Sequence, residues 1–316
     1  MKNDAKVRKV LLIAQSLGND TIWLLYEVLR AEFPDQEFVV GNIYESVYLT
    51  HHRKNILENE PAYYYYKFAD DKLETTEGAT IDFALKDEKW DLIIFNEGTY
   101  PSTQEAEYLD GDHAFMINHI RKTAAPGFRL AYNAIGANPT SALLWGEGRR
   151  KVPANVHERF MREFGGSRNL YYDKLCANFE KYIETNAEYD LVFHTGTALQ
   201  YASETYGVPE ADPQRKYDLY RDYVHLSDFG RLIVAYQLYA QIYGLTKLED
   251  VKVQVIKEDF RHKESKPFGD LEITQKHKDA IIASVNWALA NPNKKPEQTA
   301  RPEAFLERPD LEDLRN

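Results

Sequence analysis

A chain of 316 residues, 43% hydrophobic and 28% charged, holds enough apolar material for one large α/β domain or a domain with appendages. Its net charge of −11 excludes a basic footprint for nucleic acid and disfavours an anionic membrane surface, and no apolar run approaches the ~18 residues of a membrane span. Cys176 stands alone, which rules out an intrachain disulfide and a cysteine-cluster metal site.

The start, Met1-Lys-Asn-Asp-Ala-Lys, shows no signal peptide, so a cytoplasmic protein is expected, although a secreted one with its leader removed has the same pattern. Residues 10–14 are an unbroken apolar run, as suits a strand covered on both faces of a parallel sheet. Gly18 and Asn19 break the run. From Asp20, the apolar positions Ile22, Leu25, Tyr26 and Leu29 recur at helical spacing, with Asn19 or Asp20 as N-cap. Ser16 therefore falls at the carboxyl end of the first strand, the edge where open α/β sheets bind ligands.

Residues 37–40 read as the second strand, and 43–60 as a long connection carrying His51 and His52. Residues 61–77 read as a hairpin inserted in the crossover, turning at Asp70-Asp71. A short helix (80–86), a third strand (91–95), a helix (104–122) and a fourth strand (128–133) follow. Residues 134–166 lack a period and are a candidate lid carrying Trp145. A helix (169–185), a fifth strand (189–194), a helix capped by Ser227, an alternating edge strand at Val251, Val253 and Val255, and a last helix (274–290) complete the pattern. Alternating strands and helices predict a doubly wound parallel sheet. The expected organisation is one α/β domain over residues 1–292, then an extended charged tail over 293–316.

A hydrolytic serine needs a base in hydrogen-bond reach and a carboxylate that fixes the base's tautomer. Asp222 and His225, three residues apart before the helix at 228, have the spacing to meet in one turn. Asp110 and His113 share that spacing, but a helical run there points to a solvated face. His51 and His52 point about 100° apart on a helix and cannot readily share an ion, so a solvated or rim position is expected. Glu97 and Trp145 are candidate substrate contacts, Glu97 for a sugar hydroxyl, with a surface carboxylate as the plainer reading. A nucleotide or phosphate binder is a further alternative, weakened by the lack of a glycine-rich first turn.

These blocks together resemble the SGNH (GDSL-like) hydrolase superfamily. More closely, Val40-Gly-Asn-Ile-Tyr44, Asn59-Glu-Pro-Ala-Tyr63, Trp90-Asp-Leu-Ile-Ile94, His194-Thr-Gly-Thr-Ala198 and His225-Leu-Ser-Asp-Phe-Gly-Arg-Leu232 resemble the DUF4886 family within it, across roughly residues 8 to 292. The resemblance implies a flavodoxin-like three-layer α/β/α fold with a five-stranded parallel sheet, and serine esterase chemistry on acylated carbohydrates, with no cofactor or metal. It implies Ser16 as nucleophile, His225 as base and then acid, and Asp222 as its orienting partner. The oxyanion donors would come from the Ser16 N–H, the Ser46 N–H, and Asn96 or Tyr100. The sequence departs from the superfamily there: Glu45-Ser46-Val47 stands where a glycine is expected, and Tyr100 where an amide is. A carbohydrate-binding descendant with weak or no catalysis is therefore the alternative. The expected partner is a small-molecule or carbohydrate ester, with neither nucleic acid nor membrane, and a homo-oligomer is left open.

Overall fold

The structure, a computed structural model, describes residues 7–137, 154–205, 219–220, 224–261 and 269–296. The apolar run near the amino terminus is β1 (Lys9–Ala14), and the parallel strands that follow in sequence are β2 (Val39–Tyr44), β5 (Leu92–Phe95), β6 (Arg129–Asn133) and β7 (Leu191–Phe193). Among these five the spatial order is β2-β1-β5-β6-β7, the flavodoxin-like arrangement. The crossover hairpin, β3 (Tyr63–Ala69) and β4 (Lys72–Ala79), is not a separate appendage. It pairs antiparallel onto β2 and extends the sheet to seven strands. Asp70 and Asp71 both have positive φ (50° and 58°), as a type I′ hairpin turn requires. Arg30 and the Tyr26 hydroxyl hold Asp71 and so fix the tip of the hairpin.

Alternation along the central strands divides the core in two. Val10, Leu12, Leu92, Ile94 and Ala131 face one layer of helices: α1 (Ser16–Ile22), α2 (Leu25–Glu32), α9 (Thr195–Thr205), α10 (Asp228–Ile242) and α11 (Gln275–Ala290). Leu11, Ile13, Ile93, Phe95, Leu130 and Tyr132 face the other: α3 (Leu49–Glu58), α4 (Ile81–Asp87), α6 (Asp112–Thr123), α7 (Ala154–Phe164) and α8 (Arg168–Asn178). Cys176 is buried in this second core.

Several predicted boundaries move for local reasons. The connection at 43–60 contains α3. The helix expected over 104–122 breaks at Gly111 (φ 91°) into α5 (Glu105–Leu109) and α6. Of the alternating valines only Val255 enters a strand, the two-residue β8 (Val255–Ile256) pairing with β9 (Leu271–Glu272), while Val251 and Val253 are buried by side-chain packing. Within 134–166, residues 154–164 are helical, and Trp145 lies outside the described residues. Among the described residues no helix is long and apolar enough to cross a membrane.

One buried ion pair ties the amino-terminal helix α1 to the late helix α10 within the same layer. Arg231 of α10 donates to Asp20 of α1 through Nε at 2.9 Å and through Nη2, and both side chains are 0% exposed. Asp228 lies 3.7 Å from Arg231 and accepts from Arg261 Nε at 2.9 Å. The second Asp20 oxygen accepts the Leu226 N–H at 2.8 Å. Breaking one side of a buried pair strands the other charge, at about 3–5 kcal/mol. Asp20→Asn is therefore expected to lower unfolding stability by roughly that amount, read as the shift of the urea midpoint. An unchanged midpoint would show that the pair contributes nothing.

Candidate active site

β1 stays apolar to Ala14 and its chain then turns at Gln15, whose side chain caps α1: Oε1 accepts from Leu17 N at 2.6 Å and Gly18 N at 3.1 Å. Gln15 Nε2 donates to the Glu97 carbonyl at 3.3 Å, which fastens the first turn to the end of β5. The helix thus begins four residues before Asp20, and Ser16 is its first residue, partly exposed at the carboxyl end of β1. This is the switch point, where the chain order reverses between β1 and β5. Gly18 is required here: a Cβ would stand 2.2 Å from Ala14 Cβ and 2.6 Å from Asn96 Oδ1.

His225 approaches from the opposite end of the chain. Leu226, beside it, is bonded to Asp20 and bridges Tyr220, and Ser227 caps α10 while its own N–H donates to the Leu219 carbonyl. His225 is half-buried. Its neighbours Val224 and Leu226 line the same small, mostly apolar cleft as Leu17, the residue after Ser16. Thr21, Ile135 and Tyr220 complete much of that wall. The chain neighbours of Ser16 and His225 thus line one cleft, and the two segments are linked through the Asp20 carboxylate. Asp222 lies outside the described residues.

The remaining candidates occupy distinct places. Ser46 is exposed, two residues past the end of β2, and its N–H donates to Glu45 Oε1 at 3.0 Å. Asn96 is buried beneath α1, its Nδ2 donating to the Glu97 carbonyl at 3.0 Å while Oδ1 has no hydrogen-bond partner. The Tyr100 hydroxyl donates to Glu163 Oε1 at 3.0 Å, and the Arg159 guanidinium sits 3.3 Å from its ring centre. Glu97 is not a surface carboxylate: it is 1% exposed and accepts the Leu49 N–H at 3.1 Å and the Gly98 N–H at 2.5 Å. It thereby caps α3 from the end of β5. Burial pushes its carboxyl up to about 8, against the two backbone donors that pull it down.

The two other histidine candidates are also buried rather than solvated. His113 meets the Tyr189 hydroxyl through Nδ1 at 3.1 Å, and His52 meets the Tyr63 hydroxyl through Nδ1 at 2.8 Å. Burial lowers both to about 4, so they are neutral at pH 7. Among the described residues no group of three or more histidine, cysteine or carboxylate side chains is placed to hold a metal.

Residues 9–265 match the sequence profile of a domain of unknown function, DUF4886. The chain belongs to the DUF4886 family. A crystal structure of a DUF4886 protein from Bacteroides uniformis superposes with a TM-score of 0.70 at 23% identity, covering 92% of this chain and 97% of that one. The two DUF4886 chains thus share one fold. Looser matches are a proposed SGNH hydrolase from Slackia heliotrinireducens (TM-score 0.45, 16% identity, 75% of this chain and 100% of that one) and the lipase Lip_vut3 from a goat rumen metagenome (0.43, 11%, 74% and 97%). No curated protein matches.

The buried Glu97 gives a signed pH dependence. A carboxyl whose pKa rises from 4.5 to about 8 on folding adds stability below pH 4.5 and loses it as pH climbs through 8. Glu97→Gln removes that titration. Relative to the variant, the melting temperature of the unaltered protein should fall steadily from pH 4.5 to 8, and parallel profiles would contradict the assignment.

Proposed function

We propose that this DUF4886 protein is a serine hydrolase of the SGNH type, cleaving short-chain acyl esters, acetyl first among them, from carbohydrate. The observation that carries this reading is the Asp20 tether, which brings the Ser16 turn and the His225 segment to one cleft at the switch point of the sheet. In this reaction Ser16 Oγ attacks the ester carbonyl as His225 takes its proton. The tetrahedral intermediate then collapses as the imidazolium returns the proton to the leaving alcohol. Water, activated by the same histidine, clears the acyl group from Ser16. Asp222 is assigned to hold the histidine tautomer. Tyr44, Tyr64 and Tyr66 support a sugar substrate: they cluster on the neighbouring strands β2 and β3, with Tyr64 and Tyr66 stacked 6.2 Å apart and Tyr64 40% exposed.

Gln15 already takes the Leu17 and Gly18 N–H groups, so the oxyanion falls to the Ser16 N–H. The Ser46 N–H joins it once it exchanges Glu45 for substrate. The Asn96 amide and the Tyr100 hydroxyl are further from that role, because one is packed under α1 and the other is bonded to Glu163. Trp145 remains a proposed substrate contact, and we assign Glu97 to the scaffold of the site. Occupied donors also favour a second reading, a carbohydrate-binding descendant with little turnover. Labelling of Ser16 by a fluorophosphonate separates the two.

Ser16→Ala and His225→Ala should each cut hydrolysis of a short-chain aryl ester by at least about 10³-fold without changing the melting temperature. Wild-type turnover in either variant overturns the assignment.

A further inference from the structure

Behind the wall of the cleft lies a charge that no described residue balances. Arg168, the first residue of α8, is 4% exposed. Of the five N–H donors of its guanidinium, only those on Nη2 find acceptors: the Ala137 carbonyl at 3.4 Å and the Tyr220 hydroxyl at 3.2 Å. Both acceptors are neutral, and both bonds are long for a charged donor. Nε and Nη1 are buried with no hydrogen-bond partner, and among the described residues no carboxylate forms an ion pair with Arg168. Desolvating a guanidinium without a counter-charge costs several kcal/mol. Its position in the first helical turn adds to the cost, since the partial positive charge of a helix start repels a cation. Arg231, the other buried arginine among the described residues, differs in being balanced by Asp20 and Asp228. Among the described residues the charge on Arg168 is thus left for an anion to meet, and its two hydrogen-bond partners, Ala137 and Tyr220, line the same cleft as Leu17, the residue after Ser16.

We propose that Arg168 is a specificity residue that binds an anionic group on the substrate, a carboxylate carried by the alcohol half of the ester, so that the acyl group is removed from an acidic sugar or a similar hydroxy acid. The proposal rests on the hydrolase reading above and narrows its substrate class. A monoanion matches the single guanidinium, whereas a phosphate dianion brings a second charge into an apolar wall with no cation to meet it. The carboxylate takes the unpaired Nε and Nη1 donors, and Tyr220 and the Ala137 carbonyl keep Nη2 in place. The Ser16 hydroxyl then meets an ester on the same molecule at the near end of the cleft.

The test compares two aryl acetates of matched shape, para-acetoxybenzoate and para-acetoxybenzamide, at low salt. A hydrogen bond to a charged group corresponds to roughly 10- to 100-fold in kcat/KM, and the unaltered protein should prefer the acid by that factor. In Arg168→Gln that ratio should collapse to about one, and Arg168→Lys should retain part of it. A wild-type preference for the amide, or a ratio unmoved in Arg168→Gln, overturns the proposal. Should neither ester be turned over, the hydrolase reading fails on its own. Thermal stabilisation by the free acids then decides the anion site: para-hydroxybenzoate should raise the melting temperature more than para-hydroxybenzamide or phenyl phosphate. Equal shifts, or a larger one with phosphate, overturn it. The same ligand comparison on the unaltered protein serves if Arg168→Gln does not fold.

Discussion

The arrangement depends on a carboxylate and a guanidinium that water does not reach. Asp20 and Arg231 are 211 positions apart in sequence and both fully buried. The cost of desolvating them is offset only because each is almost fully engaged: Asp20 by Arg231 and the Leu226 N–H, Arg231 by Asp20, Asp228 and the face of Trp23. Such a pair adds little to net stability but discriminates strongly among arrangements. Any packing of α10 that slips along α1 leaves two charges stranded in hydrocarbon. The rim carrying Ser16 and the segment carrying His225 are therefore held in one relative position by a penalty against every other.

Around that pair, backbone donors are allotted with little slack. Gln15 satisfies the start of α1, Glu97 satisfies the start of α3, and Glu45 satisfies Ser46. A helix start can stabilise developing negative charge only with N–H groups that are not already bonded. The cap that shapes the Ser16 turn thus also limits it, and leaves the first N–H of the helix as the one closest to the chemistry. Arg168 is the converse case, with donors to spare on Nε and Nη1 and only neutral acceptors for Nη2.

The layered architecture was legible because it is local: apolar runs of four to six residues give buried strands, and turn residues such as Asp70-Asp71 set the hairpin. The start of α1 was not. Glutamine is a poor N-cap by propensity, so Asn19 and Asp20 looked like the better boundary. Gln15 caps because the Glu97 carbonyl holds its amide in place, a contact 82 residues distant. Asp20 likewise reads as a polar helix entry until Arg231 is packed against it. Ser16 and His225 could be singled out by residue type and by place at strand and helix ends, whereas the burial of His52, Glu97 and His113 follows from side chains that arrive from other layers. Sequence periodicity reports which face is apolar, and it is silent on which polar group will be enclosed.

The solitary thiol of Cys176 points from α8 into the core, and enclosure pushes it up to about 12. At neutral pH the thiol therefore stays protonated, whereas the thiolate is the form that reacts with oxidants and electrophiles. Burial in the core shields it from thiol reagents used during purification.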